Sequence, residues 1–405
     1  MTDTTIDLEN LNKNIREQCE KISNSPESIA TILSELKNII NNQENFEIKP
    51  ILDLCVHKNE KVRTPVIKFV LELNSKEKFK PIIEKFAIDA FLSTHFYSNP
   101  AESIVQDSLF FAIAEKDMNM LIPMIKFFGN SSTTMKNNLL SRFTKMAPKY
   151  KINLTILEEC FKIYPEHKES IEFIHFILLQ QSRLAALSPL VINSIKNQFE
   201  KTKDARFLIP ILSNLKPSEF LDAIPFILKL QGPALKTFVW SLLAAKSAPF
   251  NGVQFLFEVH KIEMSQPEFK SAIEIVNYSV ECKNFVNCQM LCTVIDQVAR
   301  LGNLDLVLYT ANKTMELYSE SQRIILGRIL PKVIERGICD KKATWEQLKN
   351  MLYALKPQSN KVILMLPKAF LASFLQAHPD IKPSLRTFAQ TQGNVNSDIM
   401  QIINA

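Results

Sequence analysis

The stretch DARFLIPILSNLKPSEFLDAIPFILKL, residues Asp204 to Leu230, shows the pattern from which the fold is predicted. It contains two apolar blocks, each with an Ile-Pro pair, and the two prolines are Pro210 and Pro225. Proline fits the first turn of a helix because its missing N–H would have no partner there. Ser218 offers a helix cap before the second apolar run. The stretch therefore predicts two short helices packed as an antiparallel hairpin.

Similar Pro-led apolar blocks recur along the chain, and this recurrence predicts a repeat architecture. Pro81, Pro123, Pro165 and Pro210 follow one another at steps of about 42 to 45 residues, within the range of about 40–47 expected for HEAT-type repeats. The segment from Glu60 to Leu73 adds a polar turn followed by a Val-Arg helix start, which is typical of such repeats. Each repeat is a helical hairpin that buries its apolar face only by stacking on its neighbours.

The spacing of apolar residues predicts helices throughout. They recur at intervals of three and four, and alternating β-branched runs are missing. Only 7 glycines occur in 405 residues, and phosphate-binding loops and tight hairpins depend on glycine, so few such features are expected. At this length a single core stops growing. We therefore predict an all-α fold, in which HEAT-like helical hairpins form an α-solenoid followed by a second packed region of helical repeats.

Four segments are predicted along the chain. Residues 1–25 are expected to be a polar, frayed or weakly helical N-terminal segment, and residues 26–200 the HEAT-like repeats. Residues 201–390 are expected to form the second helical region, and residues 391–405 a short tail. The boundary between the halves is placed in the charged stretch from Asn197 to Ala205. No Ser/Gly/Pro-rich linker occurs, so the halves are expected to be packed rather than tethered.

The sequence lacks the motifs of known catalytic and metal sites. The patterns GxSxG, HExxH, GxxxxGK[ST] and GxGxxG do not occur. Cys282, Cys288 and Cys292 lie close together, with His260 as the nearest fourth ligand, but the CxxC knuckles of a structural zinc site are missing. Buried thiols in a reducing compartment explain these cysteines better than zinc does. No enzyme activity, cofactor or metal is therefore expected.

Charge and hydropathy limit the classes of partner. The formal net charge is +6, which is too small to indicate nucleic-acid binding. No signal peptide and no 18-residue apolar run occur in the sequence, so no membrane association is expected. Basic residues in the second half could face RNA or an acidic protein, but a solvated face explains them at least as well because aromatic side chains are not interleaved. These residues include Lys341, Lys342, Lys349, Lys356 and Lys361.

The second half resembles the C-terminal region of the symplekin family, the scaffolds of the pre-mRNA 3′-end processing machinery. The resemblance begins with RFLIP at Arg206–Pro210, continues from Asn287 to Tyr318 and is strong again from Thr344 to Phe388. There the run TWEQLKNMLYALKPQSNKVILMLPKAFL contains the Trp-Glu pair, the Lys-Pro-Gln-Ser turn and the Leu-Pro of the family's closing segment. The stretch from Glu60 to Leu73 is similar to a HEAT repeat near the family's N-terminus.

The resemblance implies a nuclear scaffold of mRNA cleavage and polyadenylation with no activity of its own. The C-terminal region would hold the metal-dependent endonuclease subunit and its inactive paralogue. The N-terminal repeats would contact a phosphatase that acts on the RNA polymerase II tail, and any RNA contact would be weak or indirect. By position in the family's motifs, the residues expected to serve partner binding are Arg206, Trp345, Lys356, Pro357, Gln358 and Ser359.

Two other functions stay open on the residues alone. One is a HEAT-repeat adaptor in another process, such as transport or chromatin. The other is a helical-repeat protein that contacts RNA through the basic second half.

Overall fold

The structure is a computed structural model that describes residues 3–41, 46–94, 100–164, 168–245, 250–393 and 395–405. The described residues form helices and turns with no strand among them, so the all-α helical-repeat prediction is confirmed. The chain divides into two compact units, Met1–Ser194 and Ile195–Ala405. The segment limits expected near residues 25, 200 and 390 stay predictions. Pro165, one of the four repeat prolines, lies outside the described residues.

The first unit is a stack of helical hairpins. In its first part α2 packs on α4 and α4 packs on α6, while α5 packs beside α6. Contact between alternate helices is what stacked hairpins produce, because each repeat covers the apolar face of the next. Phe91 joins the layers, since its ring lies 4.0 Å from that of Phe110 and 4.5 Å from that of Phe127. The helices are α1 (Asp3–Asn24), α2 (Ile29–Asn41), α3 (Lys49–Asp53), α4 (Glu60–Leu73), α5 (Lys80–Ser93), α6 (Pro100–Ala114), α7 (Leu121–Gly129), α8 (Thr133–Met146), α9 (Leu154–Ile163), α10 (Ile171–Leu184) and α11 (Pro189–Thr202), the last of which spans the division.

The second unit repeats this arrangement. The contacts run α13 to α15, α15 to α17 and α17 to α20 in one series, with α14 on α16 in the other. In its core the rings of Phe220, Phe238 and Phe255 lie 5.8 to 6.3 Å apart. A 3₁₀ segment (Ala205–Asn214) precedes α12 (Pro217–Ile227), α13 (Gly232–Ala244), α14 (Gly252–Lys261), α15 (Gln266–Glu281), α16 (Cys288–Val298), α17 (Leu304–Leu317), α18 (Gln322–Ile324), a π-helical turn (Ile325–Ile329), α19 (Leu330–Glu335), α20 (Lys342–Ala354), α21 (Asn360–Ile363), α22 (Lys368–Ala377), α23 (Lys382–Gln392) and α24 (Ser397–Asn404).

The hairpin predicted from Asp204 to Leu230 is wrong in its local details. Its first block is the 3₁₀ segment, in which Pro210 is buried beside a kink at Ile211 rather than opening a helix. Pro225 lies inside α12, and the proline in the first turn is Pro217. The cap is formed around Lys216 rather than Ser218, because Glu219 Oε2 accepts a hydrogen bond from Lys216 N at 2.7 Å. The two blocks still pack on each other.

The structure contains a helix near each end of the chain. The N-terminal segment, expected to be frayed or weakly helical, is the 22-residue helix α1, which packs on α2 and α3. Ile15, Cys19 and Ile22 are buried there, and their spacing puts them on one face of a helix. The expected short tail contains α24, which packs on α22 and α23 and buries Ile403. Of the described helices, none combines the length and apolarity that crossing a bilayer requires.

Candidate protein-interaction surface

The Lys-Pro-Gln-Ser turn predicted to serve partner binding connects α20 to α21. Lys356, Pro357 and Gln358 are exposed, and the Lys356–Pro357 peptide bond is cis. Asn360 N donates to Pro357 O at 3.1 Å, which leads the turn into α21. The turn therefore presents three neighbouring exposed side chains.

A polar and aromatic cluster holds this turn against the segment after α22. Lys356 Nζ lies 2.7 Å from Asp380 Oδ2 and 3.8 Å from the centre of the Tyr353 ring. The Tyr353 hydroxyl also donates to Asp380 at 3.0 Å, and its ring stacks on His378 at 4.1 Å. The hydrogen bond between Lys356 and Asp380 raises the pKa of the lysine and lowers the pKa of the carboxyl group. Both groups are therefore charged at neutral pH.

Two of the predicted site residues belong to the framework. Ser359 is buried, and its hydroxyl donates to Leu352 O at 2.5 Å. Trp345 is only 6% exposed and packs on Phe370 with ring centres 5.1 Å apart. Neither side chain is available to a partner in this conformation, so both position the turn and α20 instead.

Arg206 lies at the other end of the matched motifs. It is half-buried, and its guanidinium Nε and Nη2 donate to Asp204 at 2.7 to 3.1 Å. Asp204 Oδ1 also accepts from the backbone N–H of Arg206, so the pair caps the 3₁₀ segment. That segment packs on α12 and α13, whereas α20 packs on α17 and α21 on the π-helical turn. The structure therefore brings Lys356, Pro357 and Gln358 together on one surface without Arg206.

A groove that sequence reasoning missed lies beside this turn. It has a volume of about 400 Å³ and lies between residues 319–327 and residues 358–362; we call it the Gly327 groove. Gln358 is the predicted site residue that lines it. Its other lining includes Glu320, Arg323, Leu326, Gly327, Lys361 and Val362.

Ion pairs reduce the charge of the lysine cluster that raised the possibility of RNA binding. Lys341 lies 3.2 Å from Asp305, Lys349 lies 2.8 Å from Glu346, and Lys356 is held by Asp380. Such pairs leave less uncompensated charge for a phosphate backbone, so the solvated-face explanation is favoured for these three lysines. Lys361 differs, since it lines the Gly327 groove.

The histidine considered as a zinc ligand is a fully buried core residue. His260 Nδ1 lies 2.6 Å from Leu256 O, and Nε2 lies 2.8 Å from Thr310 Oγ1. Because a carbonyl oxygen only accepts, Nδ1 carries the proton of the neutral ring. Nε2 faces the Thr310 hydroxyl, which also lies 2.9 Å from Leu306 O. Burial lowers the pKa of His260 to about 4 and raises the pKa of Cys292 to about 12. The contact of Nε2 with Thr310 joins α14 to α17, whereas the contact of Nδ1 with Leu256 lies within α14.

The described residues contain no group of three or more His, Cys, Asp or Glu side chains arranged to hold a metal ion.

No solved structure matches the chain. A protein-family model described as "Symplekin tight junction protein C terminal" matches residues 204–378, from the capped 3₁₀ segment to His378 beside the Lys-Pro-Gln-Ser turn. The match confirms the resemblance inferred from the motifs. Residues 204–378 of this chain thus match the C-terminal domain of the symplekin family.

Proposed function

We propose that this chain is a non-catalytic, nuclear scaffold of mRNA 3′-end cleavage and polyadenylation. The family match over residues 204–378 carries the proposal, since symplekin-family proteins are scaffolds with a role in 3′-end processing. In this proposal the second unit holds the endonuclease subunit and its inactive paralogue. The exposed residues Lys356, Pro357 and Gln358 are proposed to contribute to that contact.

The architecture supports a binding role over a catalytic one. Stacked helical hairpins form continuous surfaces on which partners dock, and each hairpin is held by its neighbours. The buried polar groups of the second unit serve this stacking, as His260 and Thr310 do between α14 and α17. A scaffold of this kind acts by raising the effective concentration of the subunits that it holds.

A second contact is proposed for the first unit. Its stack of α2, α4 and α6 contains the segment from Glu60 to Leu73, which is similar to a HEAT repeat of the family's N-terminal region. We propose that this stack contacts a phosphatase of the RNA polymerase II tail. Deleting this unit is then expected to remove phosphatase from the purified complex and to leave the nuclease subunits bound.

Affinity purification of the tagged full-length chain from its native cells tests the proposal. Mass spectrometry is expected to identify the endonuclease and its paralogue at physiological salt, together with other 3′-end processing subunits. Transport-coat or chromatin proteins in their place would support the adaptor alternative and contradict the proposal. For the RNA alternative, binding that weakens steeply as salt increases would indicate phosphate contacts, and a flat response would exclude them.

A further inference from the structure

Gly327 lies in the interior of a helical segment where the chain's own packing does not require glycine. It is the central residue of the π-helical turn Ile325–Ile329, between α18 and α19. A Cβ built on it meets no other atom within 4 Å. Glycine destabilises a helix interior relative to alanine, and the chain contains only 7 glycines. The space above Gly327 is therefore open to something outside the chain.

That space is the Gly327 groove, and its base is apolar. Leu326 and Val362 line it, and both are buried by the surrounding fold. Ile324 and Met365, which lie close to lining residues in the sequence, are 43% and 42% exposed. π-Helical turns occur frequently at functional sites, and α21 packs directly on this one. The groove thus has a base that neighbouring helices hold in place, of which Leu326 and Val362 expose only 6% and 1% of their surface.

The charges at the groove favour an acidic partner. Arg323 and Lys361 are exposed on its two sides, and within the described part of the chain neither forms an ion pair. Glu320 is the carboxylate in the lining. A carboxylate placed between the two cations would gain charge-assisted hydrogen bonds. A nucleic-acid strand fits less well, because none of the described residues that line the groove is aromatic and able to stack on a base.

We propose that the Gly327 groove docks a short acidic segment of a partner protein. The segment passes over Gly327, where its backbone approaches closely because no Cβ intervenes. Its carboxylates pair with Arg323 and Lys361 on the two sides of the groove. The inference rests on the proposed scaffold function, and it assigns the segment to the nuclease subunits held by the second unit.

The test compares variants of the full-length chain, with the reconstituted heterodimer of endonuclease and inactive paralogue as the probe. Gly327→Trp fills the groove and is expected to weaken binding by about tenfold or more, which is the effect of losing one well-packed contact. Glu335→Trp adds the same side chain at an exposed position outside the groove lining, and its affinity is expected to equal that of the wild type. Gly327→Ala is expected to raise Tm by about 2 °C because alanine favours the helix.

A second variant covers the case in which Gly327→Trp fails to fold. Arg323→Glu combined with Lys361→Glu changes only exposed side chains. It is expected to weaken binding by about tenfold and to reduce the salt dependence of the affinity. Wild-type affinity in a folded Gly327→Trp variant or in this double variant overturns the groove proposal. The proposal is also overturned if a single-stranded RNA oligonucleotide displaces the heterodimer and requires Arg323 and Lys361 to do so. Failure of the wild-type chain to bind the heterodimer overturns the scaffold function and the groove's assignment together, whereas binding that both variants retain overturns the groove alone.

Discussion

The buried histidine gives the sharpest test of the second unit's packing, because it predicts how stability depends on pH. His260 is fully buried, and its pKa is lowered from 6.5 to about 4 by burial. Between these two values the unfolded chain binds the proton and the folded chain does not. The free energy of unfolding therefore falls as pH falls, so this contribution is present above pH 6.5 and lost toward pH 4.

The size of the effect follows from the difference in pKa. One pKa unit corresponds to about 1.4 kcal/mol, so the full difference is worth roughly 3 kcal/mol. Between pH 7.5 and pH 4.5 we expect His260 alone to reduce the free energy of unfolding by about 2 to 3 kcal/mol. The loss is larger than a typical surface group produces, because burial removes water from the imidazolium and no carboxylate among the described residues forms an ion pair with it.

Urea unfolding followed by tryptophan fluorescence measures this loss directly. The chain has 2 tryptophans, Trp240 and Trp345, so the signal reports on the second unit. His260→Gln removes the titration and keeps a polar side chain, and other groups titrate alike in both proteins. The difference between wild type and variant is expected to change by about 2 to 3 kcal/mol from pH 7.5 to pH 4.5. Parallel pH profiles would refute the assignment of His260 as a neutral, hydrogen-bonded core residue.

Two further predictions separate framework residues from surface residues. Trp345→Ala is expected to lower the free energy of unfolding by about 3–5 kcal/mol, because Trp345 is buried against Phe370. Urea unfolding followed by Trp240 fluorescence measures this loss. A loss of partner affinity without a loss of stability would instead show that Trp345 contacts the partner. In the native chain Cys282 and Cys288 are expected to react with Ellman's reagent before the other thiols, since the other five cysteines are buried and only a thiolate reacts. All 7 thiols reacting at one rate without denaturant would contradict the packing of α16.

A helix start can be predicted from the sequence where proline lies in a first turn. α3, α5 and α11 begin at or one residue before Pro50, Pro81 and Pro189, where local geometry alone decides the outcome. Pro225 could not be placed this way. It lies on an exposed part of α12. Because proline has no N–H, the carbonyl of Leu221, four residues earlier, has no helical hydrogen-bond donor. Leu221 is 40% exposed, so water can solvate this carbonyl.

The interaction surface was predictable only in part. Motif resemblance located the Lys-Pro-Gln-Ser turn, but it does not distinguish an exposed Gln358 from a buried Ser359 one position later. Burial depends on packing between segments distant in the sequence, such as the hydrogen bond from Ser359 to Leu352. The Gly327 groove joins residues more than thirty positions apart. Its sequence signal is Gly327 itself, which lies in the helical run of residues 324–330 of a chain that has only 7 glycines.

The most direct test of the scaffold function is a reconstitution of the purified full-length chain with the endonuclease and its inactive paralogue. Size-exclusion chromatography with light scattering, at physiological salt, gives the mass of whatever complex forms. The account predicts a single stable species that contains all three chains, and its loss when residues 204–378 are deleted. Elution of the 46.3 kDa chain apart from the nuclease subunits would contradict the account.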